Sequence, residues 1–347
     1  MDKINLIKSN QDIKKFKIPQ GRTLHSATHG EIKEGLTADI YFLRTHEILT
    51  SLGLDRTRVT AEIFATREGV LAGTREVLNL LKDLDINIWS LQEGEVFASK
   101  EVVMRIEGPY GEFGLYETAL LGMLASSSGW ATAARDCREA ARDHRVICFG
   151  ARHLHPAVAP VMERAAIIGG AHGCSCILGA KLLGKEPVGT VPHAAFLIVG
   201  DTVKVARAFD QVMPGEVPRI ILVDTFKDEV EETLRVATAL GERLEGVRLD
   251  TPGERGGVTP GLVREVRARL DLEGYDKVKV LASGGITPQR MPALIEAGVD
   301  AFGVGSYISR APAIDMTMDL KEVGGKPLAK RGRIPGKTDS PRLKKVT

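Results

Sequence analysis

KVKVLASGGITPQRMPALIEAGVDAFGVGSYI, residues 277–308, decides how the chain folds. A short run rich in β-branched residues ends in Ser283-Gly-Gly285, a helix-like stretch follows, and a second apolar run ends in Gly303-Val-Gly-Ser306. Two such runs bridged by a helical segment read as parallel strands joined by a crossover. Glycines at the strand ends let backbone N–H groups approach an anion, and the last strand loops of many barrels form a phosphate site in this way.

The same grammar extends back to residue 146. VICFGAR (146–152), PVGTVPH (187–193), RIILVDTF (219–226) and GVRLDTPG (246–253) each precede a helical segment, and HGCSCILGAKLLG lies among them. Six or seven strand–helix units with no dinucleotide fingerprint predict a β/α barrel rather than a doubly wound sheet. The first ~125 residues read differently. TADIYFLRTHEILTSLGL (37–54) and VLAGTREVLNLLKDL (70–84) have helical spacing, RVTAEIFATRE (58–68) alternates like a strand, and residues 86–109 read as strands broken by turns. Residues 114–144 form a long helical stretch, one helix or two. The expectation is an α/β protein: an N-terminal α+β sandwich domain, residues 1–125, on which the C-terminal tail, 312–347, packs back, and an irregular, incomplete β/α barrel over 126–311.

Composition sets outer bounds. The chain has 347 residues, 43% hydrophobic and 27% charged, with 37 glycines, which describes an ordinary globular protein rich in tight turns. No apolar run of 18 residues reads as a membrane helix, and the polar N-terminus carries no apolar leader core. Four cysteines without a CxxC pair fit a reduced, cytoplasmic chain, and Cys174 and Cys176 read as small core residues rather than a metal or redox site. The nine basic and two acidic residues of 321–347 give that tail a charge of +7. Such a tail can touch nucleic acid, pack near an anionic small-molecule site, or stay solvated; without aromatic interleaving, nucleic acid is the weakest reading.

Barrels keep their chemistry at the C-terminal ends of the strands. Those ends carry Arg152 and His153, His193, Asp224 and Lys227, Arg248, Asp250 and Thr251, Ser283 to Gly285, and Gly303, Gly305 and Ser306. Arg248 and Asp250, two apart on one side of a strand, suit a phosphorylated sugar or pair with each other. By residue type alone His193 is as readily a core histidine as a functional one.

ADIYF (38–42), CFGARH (148–153), GTVPHA (189–194), VDTFKDE (223–229), VRLDTPG (247–253), ASGGI (282–286) and FGVGSY (302–307) occur in one order. Together with DLKEVGGKPLAKRGRIPG (319–336) this set resembles the nicotinate phosphoribosyltransferase family in its shorter prokaryotic form, over residues 20–336. The resemblance implies transfer of phosphoribose from 5-phosphoribosyl-1-diphosphate to nicotinate, in NAD salvage, with Mg²⁺ and with ATP as co-substrate through a phosphohistidine. It implies His193 as the phosphorylated residue and Asp224 as its partner. Phe149 would stack on the pyridine ring, and Tyr41 of a second subunit on its other face, with Asp39 and Arg152 nearby. Arg248 and Asp250 would hold the phosphoribosyl diphosphate, with Ser283, Gly284, Gly285, Gly303 and Gly305 around its phosphate. It also implies a homo-oligomer, at least a dimer with shared active sites; the composition itself points to neither nucleic acid nor membrane as partner.

Gly173-Cys-Ser-Cys176 stands where nicotinamide-using relatives carry an acidic residue, which favours the acid substrate. His153 and His155 have no role assigned by the resemblance. Quinolinate phosphoribosyltransferase is the rival reading. It shares the SGGI-type site but needs a denser Arg/Lys cluster than the single Arg of ARHLHP. A barrel lyase or isomerase would want a Schiff-base lysine or a carboxylate base at a strand end. A non-catalytic sensor could dispense with His193 and Asp250.

Overall fold

A computed structural model describes residues 6–346, which fall into two compact units. One comprises the residues up to Thr132 together with those from Pro312 onward; the other is Ala133–Ala311. The division lies inside a single 24-residue helix, Glu117–Ala140, preceded by a 3₁₀ turn at Gly114–Tyr116.

After three helices, the last Ile40–Ser51, the strands of the first unit begin with β1 (Arg58–Ala65), β2 (Gly69–Val70), β3 (Asn87–Ser90), β4 (Val96–Phe97) and β5 (Val102–Pro109). The helix expected over 70–84 spans only Thr74–Leu81. Residues 69–70 pair instead with β4, and Gly73, at φ +89°, turns the chain into the helix. Val77 and Leu81 of this helix and Leu120 and Leu124 of the long one bury against Ile63, Ile88, Met104 and Ile106 of the sheet. β1 does not alternate between buried and exposed: all but Arg58 and Phe64 are buried, because both faces of the sheet are covered.

The second unit is a parallel sheet of six strands: β6 (Arg145–Cys148), β7 (Gly173–Cys174), β8 (Ile220–Leu222), β9 (Gly246–Leu249), β10 (Lys279–Ala282) and β11 (Ala301–Val304). Their spatial order is β7-β6-β11-β10-β9-β8. β7 and β8 do not pair with each other, so the barrel stays open. Registers such as Gly303↔Ile147 and Leu281↔Arg248 align the strand C-termini at one end. The strand expected at 187–193 does not form. Pro187 and Pro192 have no N–H to donate and Gly189 lies between them; Val188 alone makes a sheet-like bond, to the Cys174 carbonyl at 2.8 Å. His193 is therefore not a strand-end residue but the first residue of the helix His193–Val199.

The tail returns to the first unit as β12 (Met316–Val323), β13 (Lys326–Pro327) and β14 (Lys344–Lys345). The antiparallel sheet then runs β13-β12-β1-β5-β3-β14. Much of the tail's positive charge is neutralised within this unit. Lys330 and Arg333 pair with Asp319, Lys337 with Glu107, and Arg342 with Glu101. Arg333 also lies 5.0 Å over the Phe64 ring. Glu62, buried in mid-β1, accepts bonds from Arg105 at 2.7 Å and from the Thr338 N–H and hydroxyl at 3.0 and 2.6 Å. The fold is the expected one: an incomplete β/α barrel, and an α+β unit completed by the tail. Among the described residues no helix is long and apolar enough to cross a membrane.

Candidate active site

A cavity of about 510 Å³ opens at the C-terminal end of the barrel strands, walled by residues 149–310. Phe149, Arg152 and His153 follow β6, Ser175 follows β7, and Gly189–Pro192 form the stretch that failed to pair. Arg248 and Asp250 come from β9, Ser283–Gly285 from β10, and Gly303, Gly305 and Arg310 from β11 and the turn after it. Asp39 and Tyr41 belong to the first unit. Asp39 donates its N–H to Thr118 Oγ1 at 3.0 Å, and Tyr41 is 55% exposed on the helix Ile40–Ser51.

His193 Nε2 lies 3.1 Å from Asp224 Oδ2. The Asp224 side chain is fully buried, whereas His193 is 39% exposed. Burial pushes the Asp224 carboxyl above its ordinary range, and the His193 hydrogen bond opposes that rise. With Nε2–H held by a carboxylate, Nδ1 keeps its lone pair and faces other chemistry. His193 does not itself line the cavity; its neighbours Gly189–Pro192 do.

Two glycines are there for space. A Cβ at Gly303 would lie 2.5 Å from Phe149 Cε2, so the aromatic ring seats directly on that backbone. Gly284 has φ +78°, and a Cβ there would lie 2.9 Å from Asp250 Oδ1. That oxygen also faces the Ser283 hydroxyl at 3.0 Å, which can alternatively donate to the Leu249 carbonyl at 3.2 Å. Ser283 thus orients Asp250 as well as lining the cavity. Arg290 fixes the same turn through the Gly285 and Val258 carbonyls, each at 2.6 Å.

The cavity is electropositive. Arg152, Arg248 and Arg310 face one carboxylate, Asp250. Arg248 reaches Asp250 only at 3.8 Å, and its buried Nε has no partner. Burial lowers the Arg248 pKa, while Asp250 and Asp224 pull it back up. The buried Oγ1 of Thr190 and Thr225 and Oδ1 of Asp224 are likewise unpartnered. Orphaned buried polar atoms are costly, and those of Arg248 and Thr190, both residues of the cavity wall, mark where a polar ligand belongs. The Arg248–Asp250 ion pair is thus present but loose.

Sequence reasoning missed three contributors. Arg310 lines the cavity, but its only signal in the sequence is that it follows the turn after Gly303-Val-Gly-Ser306. Glu163 and Thr190 gave no signal of their own. His153 lines the cavity and its Nδ1 sits 3.0 Å from Ser309 Oγ; burial, then Arg152 and Arg310, lower its pKa. His155 instead accepts the Ala157 N–H within its own turn. Cys148 and Cys174 are buried and both thiols are pushed up, Cys174 to about 12, so neither is a ready nucleophile.

Residues 39–128 match the model of the quinolinate phosphoribosyl transferase N-terminal domain, and residues 130–319 match that of its C-terminal domain. The chain belongs to the quinolinate phosphoribosyl transferase family. A crystal structure of nicotinate-nucleotide pyrophosphorylase from Pyrococcus furiosus is 47% identical, with a TM-score of 0.87 over 91% of this chain and 82% of that one. Nicotinate phosphoribosyltransferase pncB2 of Mycobacterium tuberculosis is 32% identical over 69% of this chain and 52% of that protein. This chain therefore spans about half the length of that relative. A probable nicotinate-nucleotide pyrophosphorylase (carboxylating) of Methanothermobacter thermautotrophicus is 26% identical over 84% of this chain and 98% of that protein. Both reactions are thus represented among the relatives of this family member.

Proposed function

We propose that this chain transfers phosphoribose from 5-phosphoribosyl-1-diphosphate to nicotinate, giving nicotinate mononucleotide and diphosphate, with ATP use through a phosphohistidine at His193. The observation that carries the reading is the His193–Asp224 pair beside an electropositive cavity. The pyridine nitrogen lone pair forms the new bond to C1′, while the C1′–oxygen bond breaks and its electrons leave with diphosphate. The positive charge developing on the sugar needs no strong base; the protein positions both substrates and offsets the departing polyanion. Arg248 and the backbone of the Ser283–Gly285 and Gly303–Gly305 turns serve the phosphoribosyl diphosphate. Phe149 stacks on the pyridine and Arg152 pairs with its carboxylate; Tyr41 of a second subunit covers the other face, close to Asp39.

No group of three metal-binding side chains exists among the described residues. Asp250, at the cavity wall, nevertheless fits Mg²⁺, which takes one or two carboxylates and completes its shell with substrate phosphates. Bound there, it would neutralise diphosphate charge. ATP would pass its γ-phosphoryl group to Nδ1 of His193 as the bond from Pγ to the β,γ-bridging oxygen breaks and ADP leaves, with Asp224 holding the positive charge that the ring gains.

A second reading, transfer to quinolinate with loss of CO₂, draws on Arg310. It adds a second arginine to the Arg152 of ARHLHP at the cavity wall, and the name of the Methanothermobacter relative includes the word carboxylating. The deciding assay incubates the full chain with phosphoribosyl diphosphate, Mg²⁺ and nicotinate, nicotinamide or quinolinate, with and without ATP. Product from nicotinate, stimulated by ATP, is expected. CO₂ release from quinolinate with no turnover of nicotinate would replace the first reading by the second.

A further inference from the structure

Glu163 lies on the helix Ala159–Ile168 with its side chain fully buried. Its Oε1 accepts the Ala151 N–H at 3.1 Å and the Ser175 hydroxyl at 3.0 Å, and its Oε2 accepts the Cys176 N–H. One carboxylate thus ties the loop after β6 to the loop after β7. These loops supply Ala151, Arg152 and Ser175 to the cavity wall, and Phe149 precedes the first of them. The helix has little freedom to drift. A Cβ at Gly150 would meet Met162 Cε at 2.7 Å, and one at Gly179 would meet Glu163 Cβ at 3.2 Å. A buried carboxylate without partners is strongly unfavourable, and filling this volume alone would need only an apolar side chain. Arg248, Asp250 and Ser283–Gly285 hang from β9 and β10, and none of them bonds to Glu163.

We infer that Glu163 is a positioning residue that sets the spacing of the two loops forming the pyridine end of the cavity. The assignment of that end rests on the pyridine-carboxylate reading given above. In Glu163→Gln the amide NH₂ faces at least one N–H or O–H donor, so at least one bond is lost and one donor is left unpaired. In Ser175→Ala a single donor is lost and the carboxylate keeps two.

The full-length variants are assayed for KM of each substrate, and amide exchange is followed in residues 151–154 and 174–176. Glu163→Gln should raise the KM for the pyridine carboxylate roughly tenfold and leave that for phosphoribosyl diphosphate nearly unchanged. Ser175→Ala should shift it in the same direction by a smaller factor, and it carries the kinetic test if Glu163→Gln does not fold. Exchange should rise in both loops together. Equal rises in both KM values, or a loss of thermal stability with unchanged KM, would reduce Glu163 to a fold residue. A wild type inactive toward every pyridine carboxylate would remove the functional reading. The exchange measurement then judges the clamp alone, and unchanged protection in either loop would overturn it.

Discussion

Gly284→Ala tests whether the turn after β10 serves the phosphoribosyl diphosphate through Asp250. Alanine at φ +78° costs about 1–2 kcal/mol in backbone strain. Its Cβ would also press to within 2.9 Å of Asp250 Oδ1, the oxygen that faces the Ser283 hydroxyl. Displacing a hydrogen bond to a charged acceptor costs about 1.5–3 kcal/mol. The strain acts on stability, whereas the displacement acts on Asp250 and hence on substrate. Gly274 separates the two, because it has φ +79° and a methyl added there would meet nothing within 4 Å. Gly274→Ala should lower unfolding free energy in urea by about 1–2 kcal/mol and leave kinetics alone. Gly284→Ala should lose at least as much stability and raise the KM for phosphoribosyl diphosphate roughly 10- to 100-fold. Equal KM values for the two variants would refute the coupling between the glycine turn and Asp250.

His193→Ala should abolish acid-labile, alkali-stable labelling from γ-labelled ATP, and Asp224→Asn should cut the labelling rate at least about 100-fold while ATP-independent transfer persists; phosphorus NMR of the labelled wild type should place the phosphoryl group on Nδ1. Glu62→Ala strands Arg105 and the Thr338 N–H, so it should cost about 3–5 kcal/mol in urea unfolding and speed proteolysis of the tail after residue 330. Glu117 is held protonated mainly by burial, and then by Asp319, its pKa moving from 4.5 to about 7. The folded state therefore binds more protons than the unfolded one between those values, and the glutamate's contribution to stability declines as pH rises from about 4.5 through about 7. Glu117→Gln should accordingly raise Tm at pH 8 more than at pH 4; an equal shift at both would contradict this account.

The barrel was legible where local chemistry and tertiary role coincide. KVKVLASGGI and AFGVGS each carry the β-branched run, the glycine turn and the cavity-lining residues in one contiguous stretch. Legibility failed where the backbone bonds overruled the pattern. PVGTVPH has strand-like residues, but its two prolines deny it a ladder, and His193 consequently begins a helix. RVTAEIFA suggested one wet face, and both faces are covered because distant tail residues close over Glu62. Arg310 and Glu163 were invisible for another reason. Each acts on residues far away in sequence, 12 or more positions off, that only the fold brings alongside. ARHLHP holds one arginine, and Arg310 joins it only in the folded cavity wall.

The tail strands reorder the life of the chain on the ribosome. β1 sits at the centre of its sheet, between β5 and β12, and β12 begins at Met316. The barrel residues 133–311 are complete before that strand is synthesised. For all that time β1 presents an open edge, with the carboxylate of Glu62 awaiting Thr338. The first unit to be translated is thus the last able to finish folding, and the interval is an exposure to misassembly that the barrel does not share. Translation pauses between residues 132 and 312 should therefore harm yield more through the N-terminal sheet than through the barrel.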